Sequence, residues 1–334
     1  MSIKLKTSIK YGIVLIITGV LFWLLLRDIP FEDFQKALND FNYNWILLSI
    51  GLSLISHLLR AWRWKLLLES SNYPIKLSNS YFAVMIGYLI NSVIPRLGEV
   101  SRCGIAYRTE KVPIPFALGT VFTERFIDLM MLLGITAITF ALQINLLNDY
   151  ISSASDQISL FLNTYWLIIL IAIILGLIAL AVLFYFGRKN KTGIVSKILE
   201  FVKQGINGVL SIGKVKNQKG FWLSTLAIWV LYFFMLYVIT FGSDLTSDLG
   251  VLAGLSILVM GSFGMASPTP NGLVTFHAFV AGVLVLYGIP KQEGIIFATI
   301  LHTSQLITVL IFGSISLILV NVRQKKTNIE TQQT

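Results

Sequence analysis

Long apolar runs alternate with short polar segments along the whole chain. A helix needs about 20 apolar residues to cross the hydrocarbon core of a bilayer, and it satisfies its own backbone while doing so. Eight runs reach that length: 10–27, 44–67, 115–142, 163–187, 221–242, 249–267, 272–289 and 294–320. A ninth stretch, 79–94, is shorter and is broken around Gly87, Asn91 and Pro95. It reads as half of a broken or re-entrant element. The predicted fold class is an all-α polytopic membrane protein of about eight transmembrane helices plus re-entrant or broken helical hairpins. Residues 1–334 form a single transmembrane domain in this reading.

The polar segments sort by charge. Basic residues dominate the N-terminus (Lys4, Lys6, Lys10), 60–76, 96–111, 188–219 and the tail (Arg323, Lys325, Lys326). Acidic residues dominate 28–43, and mark 143–162 and 243–248. The positive-inside rule then puts both termini and the basic segments in the cytoplasm and the acidic segments outside. That assignment makes a demand. The stretch 79–111 must leave and return to the cytoplasmic side, and 249–289 must leave and return to the outer side. A first half, 1–142 with hairpin 79–111, and a second half, 221–320 with hairpin 249–289, are therefore expected to form an inverted-topology repeat. The run 11–26 follows lysines but no small-residue cleavage site comes after it, so it is expected to stay as a first helix.

Composition agrees. Charged residues make up 13% of 334, about half the usual share for a soluble domain, and the mean hydropathy is +0.78. The net charge of +10 does not indicate nucleic acid, because the basic residues occupy segments between apolar runs. One cysteine, Cys103, allows no intrachain disulfide, and three scattered histidines have no metal-ligand spacing. No cofactor or metal is expected. The segment 188–219 places Ile194, Val195, Ile198, Phe201, Val202, Ile206 and Val209 near helical spacing among lysines. It reads either as an interfacial helix on anionic inner-leaflet lipid or as a solvated loop that only sets topology.

Ionisable residues inside apolar helices are costly and point to function. Three groups stand out, each with a plain structural alternative. In NSVIPRLGEVSR, Asn91, Arg96, Glu99 and Arg102 sit at the turn of the first hairpin. Arginines there could hold a phosphate headgroup through paired donors, with Glu99 orienting them. Alternatively, Arg96–Glu99 and Glu99–Arg102 pairs only stabilise a short helix. In TERFID, Glu124 and Asp128 share a helix face and Arg125 can pair with either. They read as a polar path or as a structural ion pair. Asn271, Gly272 and His277 mark the turn of the second hairpin, where a helix N-terminus favours an anion. A lone membrane histidine is as often bonded to a neighbouring helix, and His302 is a plausible packing partner. Arg60 and Arg63 in RAWRW read as interface anchors at a helix end. No phosphate-loop, nucleophile-elbow or HExxH pattern is present.

RAWRW at 60–64, N-x-x-x-P-R-x-G-E-x-x-R from Asn91 to Arg102, ERFIDL at 124–129 and the Pro- and Gly-containing turn at 268–277 occur in one order over nearly the whole chain. That order resembles the flippase-like family named after the transmembrane region of lysylphosphatidylglycerol synthase. The last motif of the family is usually a double-glycine turn followed by a glutamate. Here Asn271 to Val274 stand in the turn and His277 takes the place of the acid, as in a subgroup associated with Bacteroidetes-like bacteria. The resemblance implies a stand-alone, non-enzymatic lipid translocator of the bacterial inner membrane. Its partner would be a phospholipid or polyprenyl-phosphate-linked substrate, bound by Asn91, Arg96, Glu99, Arg102, Asn271, Gly272 and His277. Glu124, Arg125 and Asp128 would line its path. The alternatives are an ion-coupled transporter of small solutes and, less favoured, an enzyme on lipid phosphates.

Overall fold

The computed structural model describes residues 19–27, 29–144, 210–267 and 269–333, with positions 167, 170, 203 and 206–208 between them, and side chains to residue 324. The expected span 163–187 and most of the expected basic segment 188–219 and of the first helix lie outside the described residues.

Among the described residues the protein is helical. Four helices are long and apolar enough to cross a membrane: α2 (Asn44–Glu69), α5 (Ile114–Leu142), α6 (Gln218–Tyr237, extended by a 3-10 turn to Gly242) and α9 (Lys291–Gln333, spanning as far as Gln324). At 1.5 Å per residue, the 26 residues of α2 reach about 39 Å, more than the about 30 Å of bilayer hydrocarbon.

The arms of both hairpins fall short of that length. The first is α3 (Leu77–Val93) and α4 (Leu97–Glu110), and the second is α7 (Val251–Ala266) and α8 (Thr275–Val285). Seventeen residues give about 25 Å and eleven about 16 Å. The expected spans 249–267 and 272–289 are these short arms. The acidic connecting segment 28–43 contains a helix that its charge pattern does not announce. Residues Phe31–Asp40 form a helix, α1, because Phe34, Ala37 and Leu38 recur at helical spacing and pack on a core cluster with Phe41, Ile239 and Ile296.

Packing repeats between the halves. The helix α2 meets α6, and several contacts of one half have a counterpart in the other: α2–α3 with α6–α7, α3–α4 with α7–α8, α4–α5 with α8–α9, and α3–α9 with α7–α5. Side-chain pairs give the directions. Ser49 bonds the Met235 carbonyl while Arg63 reaches Thr225, so α2 and α6 are antiparallel. Trp64 bonds Thr120 and Arg60 bonds Asp128, so α5 runs against α2. Ser80 bonds the Ala61 carbonyl and His57 meets Tyr88, so α3 also runs against α2. Arg323 lies at Ser78 and Gly313 at Met85 and Leu89, so α9 runs against α3 and therefore along α2. The helices α6 and α9 thus point opposite to their counterparts α2 and α5.

Candidate functional site

The helix α2 carries a buried polar stripe: Ser49, Ser53, Ser56, His57, Arg60 and Arg63 recur every three or four residues and therefore share a face. Opposite it, Glu124 and Asp128 stand one turn apart on α5. Arg60 Nη2 is 2.8 Å from Asp128 Oδ2, and its Nη1 donates to the Tyr232 hydroxyl at 2.8 Å. Arg63 reaches Asp128 Oδ1 at 2.8 Å and Glu124 Oε1 at 3.5 Å. Arg102, from α4, meets Glu124 Oε2 at 2.7 Å. Arg63 and Glu124 are both 0% exposed. These pairs join three helices at a depth where water cannot compensate a lost partner.

A second layer sits beside them. Arg125 projects the other way from its neighbours and pairs with Glu99 Oε1 at 2.8 Å. Glu99 Oε2 lies 3.3 Å from Asn91 Nδ2, and Asn91 Oδ1 accepts from the Gly98 amide at 2.7 Å. Those bonds tie the two arms of the first hairpin together. A Cβ on Gly98 would collide with the Gly87 carbonyl and stand 2.5 Å from Asn91 Cγ, so this crossing requires glycine.

The arrangement corrects several sequence readings. Arg60 and Arg63 are not interface anchors; they are the buried centre of the cluster. Glu99 pairs with neither Arg96 nor Arg102, because helix geometry turns Arg102 towards Glu124. Arg125 pairs with Glu99 and not with Glu124 or Asp128. Arg96 caps α4 in the left-handed conformation (φ 64°), exposed at the hairpin tip and away from the cluster.

The second turn also stands apart. His277 is 1% exposed and meets His302 ring to ring at 5.0 Å. Asn271 (φ 50°) and Gly272 (φ 68°) shape the turn, and the Asn271 carbonyl is 3.0 Å from His302 Nε2. Thr275 Oγ1 lies 2.8 Å from the Gly264 carbonyl and 3.0 Å from that of Gly272, which ties the turn to α7. The turn packs against α3, so the two hairpins touch, but His277 makes no contact with the arginine cluster among the described residues.

The residues missed in the sequence, Arg60, Arg63, Tyr88 and Tyr232, were signalled by the polar stripe on α2 and by tyrosines facing it.

Between the hairpin and the cluster lies a narrow cleft lined by Arg60, Gly87, Tyr88, Asn91, Glu99, Arg102 and Arg125, among others. Its free volume is about 20 Å³, room for about one water. Arg102 stacks on Trp64, 3.8 Å from the ring centroid, and its Nε and Nη2 have no hydrogen-bond partner among the described residues. Four guanidinium groups (Arg60, Arg63, Arg102, Arg125) answer three carboxylates (Glu99, Glu124, Asp128), so the cluster has one positive charge in excess. Chemically, that is a place for an anion.

Comparison with known proteins agrees with this architecture. The family profile described as lysylphosphatidylglycerol synthase TM region matches residues 11–313. The chain belongs to this family. Within it, the protein is similar to the UPF0104 membrane protein MJ1595 of Methanocaldococcus jannaschii, with 26% identity over 136 residues. That match covers 40% of this chain and 40% of the archaeal protein. No solved structure matches. The profile match spans the polar stripe, both hairpins and the whole charge cluster of this lysylphosphatidylglycerol synthase TM region member.

Proposed function

We propose that this protein translocates an anionic, phosphate-bearing lipid or lipid-linked substrate across the cytoplasmic membrane, making and breaking no covalent bond. Arg102 carries the reading. It is a buried guanidinium that spends Nη1 on Glu124 and keeps two donors at the cleft without partners among the described residues. Buried donors without acceptors are costly, and a phosphate oxygen satisfies them. The single excess positive charge favours a monoanionic headgroup. A lipid substrate also needs room for its tails. An open apolar groove of about 490 Å³ lies between α2 and α3, lined by Leu54, Ile55, Leu58, Leu77, Tyr81 and Phe82 with Ser78. Leu77 and Tyr81 of that groove stand in the same helical stripe as Val84, Tyr88 and Asn91 of the cleft. In this reading the basic segments and both termini face the cytoplasm of a bacterial cell.

The closed cleft, with its charges paired to one another, favours a second reading: a transporter of small anions. One assay separates the two. The purified full chain is reconstituted in vesicles carrying fluorescent phosphatidylglycerol, and movement of the probe between leaflets is timed with an impermeant quencher. The lipid reading expects protein-dependent movement and a fall of tenfold or so in Arg102→Gln, the cost of about 1.4 kcal/mol of lost headgroup binding. Uptake of inorganic phosphate without probe movement would support the small-anion reading, and an Arg102→Gln protein that moves lipid at the native rate would reject the site.

A further inference from the structure

The second turn holds side chains that the charge cluster does not use. His277 of α8 and His302 of α9 are both buried, at 1% and 3% exposure. Their rings meet edge to face. His302 Nε2 faces two groups of one residue: the Asn271 carbonyl at 3.0 Å and the Asn271 side-chain Nδ2 at 3.3 Å. The first contact needs a proton on Nε2, and the second needs its lone pair. One atom therefore has a partner waiting for each of its two states. Among the described residues His277 Nδ1 has no partner, and Phe22 and Phe276 pack around the ring at 5.3 and 6.1 Å. Two imidazolium rings 5.0 Å apart repel strongly away from water, so the pair holds at most one added proton.

The turn that carries Asn271 is under strain. Val274 is β-branched yet sits at φ 73°, next to Asn271 at 50° and Gly272 at 68°. A conformation of that kind costs on the order of 1–3 kcal/mol and persists only while its surroundings hold it. The hold here comes from Thr275 and from the His302–Asn271 contacts. The turn packs on α3, which supplies Tyr88 and Asn91 to the cleft.

Other ionisable groups on the surrounding elements stand off. Between Val251 and Ala266, α7 carries none, and His277 is the one on α8. Along α9, Lys291 and Glu293 are about 16 and 13 Å from His302 by helix rise, and Arg323 is about 31 Å away. Arg27 ends the helical segment that supplies Phe22. From α3 come Tyr81 and Tyr88, and from α2 come His57, Arg60, Arg63, Lys65 and Glu69. Among the described residues, no carboxylate or basic side chain bonds either ring of the pair.

We propose that His277 and His302 form a binding site for a single proton, and that occupancy of this site resets the 270–275 turn and so couples a proton to substrate movement. The coupling rests on the transport reading; the proton site does not. In the step itself, one proton passes from water to the pair and settles on the lone pair of His302 Nε2, which then donates to the Asn271 carbonyl and no longer accepts from Asn271 Nδ2, while His277 stays neutral beside it. The same proton leaves on the return leg.

The chain has three histidines, which makes the test tractable. The full chain is labelled with ¹⁵N-histidine in lipid nanodiscs, signals are assigned with His57→Gln, His277→Gln and His302→Gln, and pH is lowered from neutral. The expected result is one proton taken up by the pair, with both rings shifting together and the amides of Val274 and Thr275 moving in the same step. His302→Gln should leave His277 titrating alone with a different midpoint. Two independent full titrations, no proton uptake, or uptake with motionless 274–275 amides would each overturn the proposal. Coupling is then read in the phosphatidylglycerol vesicles. For one coupled proton, a gradient of one pH unit is worth about tenfold in probe distribution, and His302→Gln should abolish that bias. A native protein that moves the probe with no such bias overturns the coupling. A native protein that moves no probe at all defeats the transport reading instead, and the nanodisc titration alone then decides the proton site.

Discussion

The buried arginines define what single residues do here. Glu124 is bracketed by Arg63 and Arg102, in ion pairs at 3.5 and 2.7 Å. Glu124→Gln would strand the buried Arg102, while Arg63 keeps Asp128, and breaking a buried pair costs about 3–5 kcal/mol. Arg125→Gln, at a pair whose side chains are 45% and 25% exposed, should cost less than about 1 kcal/mol. Thermal unfolding in one detergent would order the two, and equal midpoints would show that the cluster is hydrated after all. Arg102→Lys keeps the charge but loses the planar fork and its stacking on Trp64, so its lipid movement should stay well below native. A Lys variant with native probe movement would reduce Arg102 to a point charge. The sequence carried six members of the cluster, Asn91, Glu99, Arg102, Glu124, Arg125 and Asp128, because intramembrane charges are conspicuous. It misled at Arg60 and Arg63, where nearby tryptophans and a helix end imitate an interfacial belt. The stripe from Ser49 to Arg63 was the better signal, since an anchor has no reason to continue a polar face upwards. Arg96 shows the converse. A motif position one residue before a helix begins does not share that helix's face.

At the scale of elements, the hairpins depend on close backbone approach. The α3–α4 crossing is fixed by Gly87 and Gly98, with Asn91 bonded to the Gly98 amide. Gly98→Ala should therefore open the crossing and cost about 1–3 kcal/mol by overpacking. Gly104 lies on the same helix with nothing within 4 Å of its added Cβ. Gly104→Ala should be neutral or stabilising, by up to about 1 kcal/mol, since alanine is the better helix former. Melting temperatures of the two variants would decide the point, and equal losses would mean that helix 97–110 is held by something other than the crossing. The turn that ends the first arm was legible from Pro95, but Gly87 and Asn91, expected as interruptions, lie inside the continuous helix Leu77–Val93. The short arms of the second hairpin were harder to see, because 249–267 and 272–289 are apolar throughout and hydropathy does not report length inside the bilayer. Helix α1 was hidden by its acids. Glu32, Asp33 and Asp40 advertise a loop, while Phe34, Ala37 and Leu38 pack on the core.

For the whole molecule, the opposed directions of corresponding helices make a topological demand. Lys111 ends the first hairpin, at the end of the bundle where Arg323 bonds Ser78. Lys291 opens α9 at the other end, just before Gln292 and Glu293, which line one pocket with Asp33 and Asp244. The two lysines therefore belong on opposite faces of the membrane, and the distribution of basic segments assigns Lys111 to the cytoplasm. In a Cys103→Ser background, Lys111→Cys should resist an impermeant thiol reagent added to intact cells and react once the membrane is opened. Lys291→Cys should react in intact cells. Both lysines are exposed, so the label reports sidedness and not burial. Labelling of both from one side would break the inverted arrangement, and with it the geometry that lets two short hairpins meet around α3. Labelling from opposite sides but with the roles reversed would keep the repeat and turn the molecule over. The charge cluster would then lie towards the outer leaflet, and the cytoplasmic placement of the basic segments would reverse.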